Sequence, residues 1–261
     1  MILILHSHQE LLAYRQNIKD GTVGFVPTMG ALHEGHATLL RQARRDCKNV
    51  ILSIFVNPTQ FNDPKDLEKY PRTFESDRAL AEREGVDAIY FPNYNDLYPD
   101  GYNYEVLEKK WSPSFCGAHR PGHFNGVLTV VLKLFNLVQA DYAYFGEKDY
   151  QQLRLIQEMC TAFFLKVKIV PIPTLREPDG LAMSSRNVRL TPEERQKAPL
   201  FYRCLKEADN AQEARKQLED LGFKVDYVED WEDRRLGALH LGAVRLIDNV
   251  PIKKIEMDVL K

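Results

Sequence analysis

Apolar and polar residues alternate along the first two thirds of this chain with two different periods. Val50–Val56 is a nearly unbroken apolar run that ends at Asn57-Pro58, which is typical of a strand buried on both faces. Ala37–Cys47 has apolar residues along one stripe at helical spacing, so we predict a helix there. Similar patterns predict further strands at Met1–Leu5, Val23–Val26 (ended by Pro27), Ala88–Phe91, Tyr142–Phe145 and Val167–Ile172, and further helices at Phe74–Glu84, Val127–Val138 and Tyr150–Phe163.

The repeated order of strand, helix and strand, with short connections, predicts an α/β Rossmann-like domain built on a parallel sheet. In such sheets the ligand lies beyond the carboxyl ends of the strands. We therefore expect the loops that follow Val26, Val56, Phe145 and Ile172 to line one site.

The pattern changes after residue 175 and predicts a smaller α+β module. Thr191-Pro-Glu-Glu has the residues of a helix start, and Ala211–Leu221 is a helical stretch that ends at Gly222. Lys224–Val228 and Ala243–Ile247 have the composition of strands. We predict two domains, residues 1–175 and 176–261, of which the second is a candidate lid.

The composition narrows the class of protein. Hydrophobic residues make up 44% and charged residues 28%, which is typical of a globular chain and excludes a disordered one. Lys and Arg number 35 against 37 Asp and Glu, so no basic excess favours nucleic acid as a partner. Because the chain has no long apolar run, no signal-like start and no paired cysteine spacing, we expect no membrane span, a cytoplasmic location and free thiols.

The loop after the second predicted strand carries the strongest chemical signal. Its sequence PTMGALHEGH places His33 and His36 at the start of a helix, beside two glycines that allow a ligand to approach the backbone. A helix N-terminus favours phosphate, and imidazoles can donate to phosphate oxygens. The loop is not a P-loop, because His36 and Ala37 stand where Lys and Ser or Thr are needed. A metal site is less favoured, since the sequence places no third ligand.

Three later loops carry polar groups that suit a small polar substrate and a phosphate. Asn57 and Gln60 offer amides that both donate and accept, although NPTQF alone could be an ordinary turn. Lys148 is a point charge suited to phosphate, while Asp149 could simply cap a helix. Arg176–Asn187 combines hydroxyls, a glycine and guanidinium groups, as in a mobile phosphate clamp or a linker between domains.

Six segments in this order resemble the pantothenate synthetase (pantoate–β-alanine ligase) family: PTMGALHEGH, SIFVNPTQF, YPRTFESD, RPGHFNGV, GEKDYQQL and DGLAMSSRN. The resemblance is strong over residues 20–195 and looser in the C-terminal module. It implies an HxGH nucleotidylyl transferase in which SSRN takes the place of the KMSKS loop. It further implies that ATP and (R)-pantoate form pantoyl adenylate and pyrophosphate, and that β-alanine then releases pantothenate and AMP. A cytoplasmic homodimer that uses magnesium is implied as well.

The resemblance also assigns residues to roles. The implied catalytic residues are His36 as a proton donor, His33 beside it, and Lys148. Pantoate and β-alanine are implied to contact Gln60, Gln152 and Asn57, and we predict Asp77 of YPRTFESD as the magnesium ligand. The implied ATP-binding residues are Met29, Gly30, Ala31, Leu32, His33, Glu34, Gly35, His36, Gly146, Glu147, Lys148, Asp149, Leu175, Met183, Ser184, Ser185 and Arg186.

The sequence departs from the family pattern at a few places, and two other functions stay open. Thr59 stands where the family usually has methionine, and Cys116 replaces a usual glycine. The first alternative is a different adenylyl or cytidylyl transferase, although Gln60 and Gln152 suit a hydroxy acid better than a phosphate monoester. The second is a nucleotide-binding regulator without catalysis, against which the intact histidines and Lys148 argue.

Overall fold

The computed structural model describes residues 2–252 of the chain. The chain divides into two compact units, Met1–Glu147 with Gln151–Leu175 and Lys148–Tyr150 with Arg176–Lys261. The prediction of two domains, residues 1–175 and 176–261, stays a prediction, because a compact unit need not fold independently. No helix in the described residues is long and apolar enough to cross a membrane.

The first unit contains a parallel six-stranded sheet flanked by helices, so the predicted α/β Rossmann-like class is confirmed. Its strands are β1 Leu3–Leu5, β2 Val23–Thr28, β3 Asn49–Ile54, β4 Ala88–Tyr90, β5 Tyr142–Gly146 and β6 Lys168–Ile172. Its helices are α1 His8–Asn17, α2 Glu34–Asp46, α3 Pro64–Glu68, α4 Phe74–Arg83, α5 Tyr94–Leu97, α6 His123–Val138 and α7 Tyr150–Ala162, whose first residue belongs to the second unit.

The strand order β1-β4-β3-β2-β5-β6 shows where a ligand can bind. The chain adds β3 and β4 on one side of β2, and then returns to add β5 and β6 on the other side. The order therefore reverses between β2 and β5. At such a switch point the loops beyond the carboxyl ends separate and open a crevice. The loop with the two histidines follows β2 directly.

The apolar run that predicted β3 is explained by its central place in the sheet. Val50, Ile51 and Leu52 are fully buried, because strands lie on both sides of β3 and helices cover both faces. Pro27 does not end β2 as predicted, since the strand continues to Thr28. In the described pairing, β5 contacts β2 only at Gly24 and Phe25, so the missing N–H of Pro27 lies where one side of the strand is unpaired.

Several helices differ from the sequence-based prediction, and in two of them the cap residues are informative. Helix α2 begins at Glu34 rather than Ala37, because His33 caps it. Helix α1 was not predicted, since its apolar stripe is weak. Its Ser7-x-x-Glu10 capping box, in which each side chain accepts the other's backbone N–H, is a signal that the sequence did contain.

The second unit packs helices against a small antiparallel sheet, which confirms the predicted smaller α+β part. Its elements are α8 Pro192–Lys197, α9 Pro199–Glu207, α10 Ala211–Asp220, β7 Lys224–Trp231, β8 Arg234–Leu241 and β9 Val244–Pro251. The core includes Phe201, Leu205, Leu218 and Leu239. Strand β8 was not predicted, because a buried Arg235 interrupts its apolar pattern. All four cysteines of the chain are buried and free, as expected.

Candidate active site

A buried carboxylate fixes the loop that follows β2. The backbone there turns through the left-handed region at Gly30 and Ala31, with φ of 81° and 51°. Asp77, in the first turn of α4, is 2% exposed. Its Oδ2 accepts the N–H of Ala31 at 2.9 Å, and its Oδ1 accepts the N–H of Leu32 at 2.7 Å. Because the acceptor is a charged group, these bonds stabilise a turn that a non-glycine residue rarely adopts.

The same contacts change our interpretation of Asp77. The sequence-based prediction made it the magnesium ligand, but both of its oxygens accept backbone hydrogen bonds, and Thr73 Oγ1 adds a third at 3.1 Å. Nor do residues 2–252 contain a group of three or more His, Cys, Asp or Glu that could hold a metal ion. Asp77 therefore orders the loop, and its role as a magnesium ligand stays a prediction.

The two histidines begin α2 and cap it with their side chains. Nδ1 of His33 accepts the N–H of Gly35 at 3.1 Å, and Nδ1 of His36 accepts the N–H of His33 at 3.2 Å. The ring centroids are 4.2 Å apart. An imidazole nitrogen that accepts a hydrogen bond carries no hydrogen, so the cap selects the tautomer with hydrogen on Nε2. Both rings therefore present an Nε2–H donor at the positive end of a helix, where anions bind.

Helix α4 holds α2 as well as the loop before it. Arg41 of α2 donates from Nε and Nη2 to the two carboxylate oxygens of Glu84, each at 2.8 Å, and from Nη1 to Glu34 at 2.5 Å. The Arg41 guanidinium holds the pKa of Glu84 below its usual value. Asp77 and Glu84, at opposite ends of α4, thus fix the loop and the helix that carry the histidines.

The Asn57 side chain is buried beneath Gln60 and all four of its hydrogen-bonding positions are used. Its Nδ2 donates to Gln60 Oε1 at 3.1 Å and to the Gly126 carbonyl at 3.2 Å. Its Oδ1 accepts from the hydroxyls of Thr59 at 3.0 Å and Tyr98 at 2.9 Å. Asn57 is 1% exposed, and its hydrogen bond to Gln60 Oε1 orients the Gln60 amide. Substrate binding by Asn57 and by Gln60 stays a prediction.

Residues of the RPGHFNGV segment contact the backbone of Gln60, a role that the sequence did not reveal. The Gln60 carbonyl lies 2.8 Å from His123 Nδ1 and accepts from Arg120 Nη2 at 3.2 Å. A Cβ on Gly126 of α6 would lie 2.5 Å from the Thr59 carbonyl oxygen. The 58–60 turn can rest on α6 only because residue 126 has no side chain.

The start of α7 contributes two glutamines with different surroundings. Gln152, predicted to bind substrate, is half-buried. Its neighbour Gln151 is 4% exposed, donates to the carbonyls of Trp111 and Ser114 at 2.8 and 2.9 Å, and accepts the N–H of Cys116 at 3.0 Å. Gln151 therefore orders the loop before RPGHF, and substrate binding by Gln152 stays a prediction.

Within the second unit, one cavity brings together several of the predicted phosphate-binding residues. Lys148, Ser184 and Arg186 line it together with Asp248 of β9. Ser184 Oγ accepts the N–H of Arg186 at 3.2 Å, which holds the loop in a tight turn. The remaining residues predicted to bind ATP lie next to these or at the end of a strand: Gly146 ends β5, Glu147 and Asp149 flank Lys148, Met183 and Ser185 flank Ser184, and Leu175 precedes Arg176.

The comparisons with known proteins agree with one another. The chain matches the family model of pantoate-beta-alanine ligase over residues 3–251. The pantothenate synthetase of Bdellovibrio bacteriovorus is 60% identical over 252 residues, covering 97% of this chain and 100% of that protein. The pantothenate synthetase of Legionella pneumophila strain Lens is 48% identical over 247 residues, covering 94% of this chain and 98% of that protein.

Two solved structures resemble the whole chain. Pantothenate synthetase from Thermus thermophilus superposes with a TM-score of 0.89 at 40% identity, covering 96% of this chain and 99% of that one. Pantoate-beta-alanine ligase from Francisella tularensis superposes with a TM-score of 0.91 at 40% identity, covering 96% and 98%. The latter was solved in complex with beta-gamma ATP and beta-alanine.

The capping contact of His33 predicts that two substitutions at this position differ in their effect on the free energy of unfolding. Replacing His33 with Ala removes the acceptor for Gly35 N–H and is expected to lower the free energy of unfolding by about 1 kcal/mol. Replacing it with Asn, a favoured N-cap residue, is expected to keep that free energy within about 0.5 kcal/mol of the wild type. Urea denaturation followed by circular dichroism measures both, and equal losses for Ala and Asn would contradict the cap.

The contacts of Asp77 predict a structural effect without a change in magnesium dependence. Asp77→Asn places an amide donor against backbone N–H groups in a buried site, so we expect a loss of about 1 to 3 kcal/mol in the free energy of unfolding. The control Glu75→Gln, in the same turn and exposed, should cost less than about 0.5 kcal/mol. A stable Asp77→Asn variant that requires more magnesium for activity would restore Asp77 as a metal ligand.

Proposed function

Because this chain belongs to the pantoate–β-alanine ligase family, we propose that it makes pantothenate in two steps through a pantoyl-adenylate intermediate. In the first step a carboxylate oxygen of (R)-pantoate attacks the α-phosphorus of ATP, and pyrophosphate leaves. In the second step the amine of β-alanine attacks the acyl carbon, and AMP leaves as the amide forms. The observation that carries this proposal is the pair of Nε2–H donors at the start of α2.

The proposal assigns the first unit to the adenylation centre. His33 and His36 donate to phosphate oxygens as negative charge develops on the triphosphate, with His36 as the proton donor. The loop and the first turn of α2 contact the nucleotide, at Met29, Gly30, Ala31, Leu32, Glu34 and Gly35. Little covalent chemistry by the protein is needed, since holding the carboxylate in line with the α-phosphorus supplies most of the rate.

Pantoate is held, in this proposal, by amides rather than by charges. Gln60 and Gln152 each offer both a donor and an acceptor, which suits a molecule that bears hydroxyls and a carboxylate. Gln60 also lies near β-alanine. Asn57 fixes the Gln60 side chain before substrate arrives, so no rotamer has to be selected at the moment of binding.

The remaining predicted residues are proposed to bind the nucleotide. Lys148, Ser184, Ser185 and Arg186 neutralise and follow the leaving pyrophosphate, and charge-assisted hydrogen bonds give them the strength to do so. We propose that Gly146, Glu147, Asp149, Leu175 and Met183 complete the ATP site. Magnesium enters with the ATP substrate, bound by its phosphates. We further propose a homodimer that works in the cytoplasm.

The two-step proposal predicts pyrophosphate exchange without amine. Enzyme, magnesium, ATP and pantoate, with no β-alanine, should incorporate labelled pyrophosphate into ATP, because the first step is then complete and reversible. His36→Ala should lower this exchange at least ~100-fold, the effect of losing one donor to a developing charge. His33→Asn should lower it while the protein stays folded, and the control His8→Ala, at the start of α1, should leave it unchanged.

Two outcomes of this assay would contradict the proposal. Overall synthesis without any pantoate-dependent exchange would mean a concerted reaction of three substrates. Exchange that depends on a phosphate monoester and ignores pantoate would identify a different nucleotidylyl transferase.

The amides predict a change in KM that is confined to one substrate. Gln60→Ala and Gln152→Ala should each raise KM for pantoate about tenfold or more, the effect of one hydrogen bond to a charged group, with KM for ATP changed less than about twofold. Initial rates at varied pantoate and varied ATP measure the split. Equal changes in both constants, or a change for ATP alone, would refute the assignment.

Asn57 provides the internal control for this series. If Asn57 acts by orienting Gln60, Asn57→Ala should raise KM for pantoate in the wild type and add little on a Gln60→Ala background. Additive effects would show that Asn57 contacts the substrate by itself.

A further inference from the structure

Asp248 and Asn249 are consecutive residues of β9. Asp248 contacts Arg176, at the start of the loop that carries Arg186, and Asn249 contacts the backbone of Lys148. Asp248 is buried, with its side chain 3% exposed. Its Oδ2 accepts from Arg176 Nη1 at 2.6 Å and its Oδ1 from Arg176 Nη2 at 2.9 Å, a bidentate pair. A planar guanidinium bound in this way has its orientation as well as its position fixed.

Arg176 transmits that fixed position to the loop that precedes Ser184. Its Nη1 also donates to the Gly180 carbonyl at 3.1 Å, and its guanidinium carbon lies 3.8 Å from the centroid of the Tyr202 ring. Arg176 and Ala182 pair through a short antiparallel bridge. One side chain, anchored on Asp248, thus closes the loop at its base, and Ser184 follows the bridge by two residues.

Asn249 holds the segment that carries Lys148. Its Nδ2 donates to the Lys148 carbonyl at 3.1 Å, and its Oδ1 accepts from Arg234 Nη1 at 3.0 Å. The same segment is fixed a second time at Tyr150, whose hydroxyl lies within hydrogen-bond distance of two carboxylates, Glu232 at 3.2 Å and Asp233 at 3.1 Å. The backbone of Lys148 is therefore tied to β9 and to the turn between β7 and β8.

We infer that Asp248 and Asn249 are positioning residues that set the Ser184–Arg186 loop and Lys148 in one fixed arrangement for the phosphates of ATP. This inference rests on the proposed function, which assigns those residues to ATP. Asp248 and Asn249 act through Arg176 and through a backbone carbonyl. Phosphoryl and adenylyl transfer depend on positioning, so a displacement of about 1 Å by a remote substitution can lower the rate about 100-fold.

The three-stranded sheet also offers a control pair between β7 and β8, in which the Asp230 side chain is 36% exposed against 3% for Asp248. Arg235 of β8 is 3% exposed and donates to Asp230 from Nε at 2.8 Å and from Nη2 at 3.4 Å. This is a second arginine–carboxylate pair in the same sheet, and neither residue lines the cavity that contains Lys148 and Ser184. Asp230→Asn therefore removes an ion pair of the same kind without touching the phosphate-binding segments.

The test compares Asp248→Asn, Asn249→Asp and Asp230→Asn in the full chain. Asn249→Asp keeps the shape and the acceptor but removes the donor to the Lys148 carbonyl. For both β9 variants we expect ATP binding, measured by calorimetry without pantoate, to weaken about 10- to 100-fold. Pyrophosphate exchange at saturating pantoate and subsaturating ATP should fall by a similar factor, and KM for pantoate should change less than about twofold. Asp230→Asn should change none of these more than about twofold.

Several results would overturn the inference. Folded β9 variants that bind ATP and exchange pyrophosphate like the wild type would remove any positioning role. Equal changes for ATP and pantoate, matched by Asp230→Asn, would show general destabilisation instead. If Asp248→Asn does not fold, Asn249→Asp decides by the same readouts. A wild type that binds ATP but shows no pantoate-dependent exchange would refute the proposed two-step function, and ATP binding by the variants would still decide this inference.

Discussion

The candidate site of the first unit depends on two hydrogen bonds, in which the buried Asp77 carboxylate accepts the backbone N–H groups of Ala31 and Leu32. Asp77 stabilises a left-handed turn at Ala31 that the chain would otherwise avoid, and that turn delivers His33 to the N-cap of α2. The cap selects the tautomer of both histidines. The geometry at the start of α2 therefore depends on a contact made by a residue in a different helix, α4.

Sequence patterns predicted much of the parallel sheet because its strands are short apolar runs between clear turn signals. They failed where burial is achieved by paired charge: Arg235 sits in β8 with Asp230 as its partner, and a chain pattern shows only an interrupting arginine. They also failed at β2, because whether Pro27 ends a strand depends on which neighbour lies beside it. Both facts are tertiary and have no local signal.

In the candidate site, too, the sequence predicted features that have a local signal and missed those that depend on tertiary contacts. Loop position and residue type were enough to single out His33, His36, Gln60 and Lys148. They could not separate groups that face a ligand from groups that organise those groups, since Asn57, Asp77 and Gln151 are polar residues whose partners come from distant segments. The side chains of Asn57, Asp77 and Gln151 all have several hydrogen-bond partners within the protein, and the sequence did not reveal those partners.

The bare backbone at Gly126 has a consequence for the engineering of this chain. A glycine inside a long apolar helix lowers helix stability by roughly 0.5 to 1 kcal/mol relative to alanine, so it is an obvious first target for thermostabilisation. Here the added methyl group would meet the Thr59 carbonyl oxygen at 2.5 Å and displace the turn that presents Gln60. This clash offsets the gain in helix stability, so helix-strengthening substitutions in α6 should exclude this position.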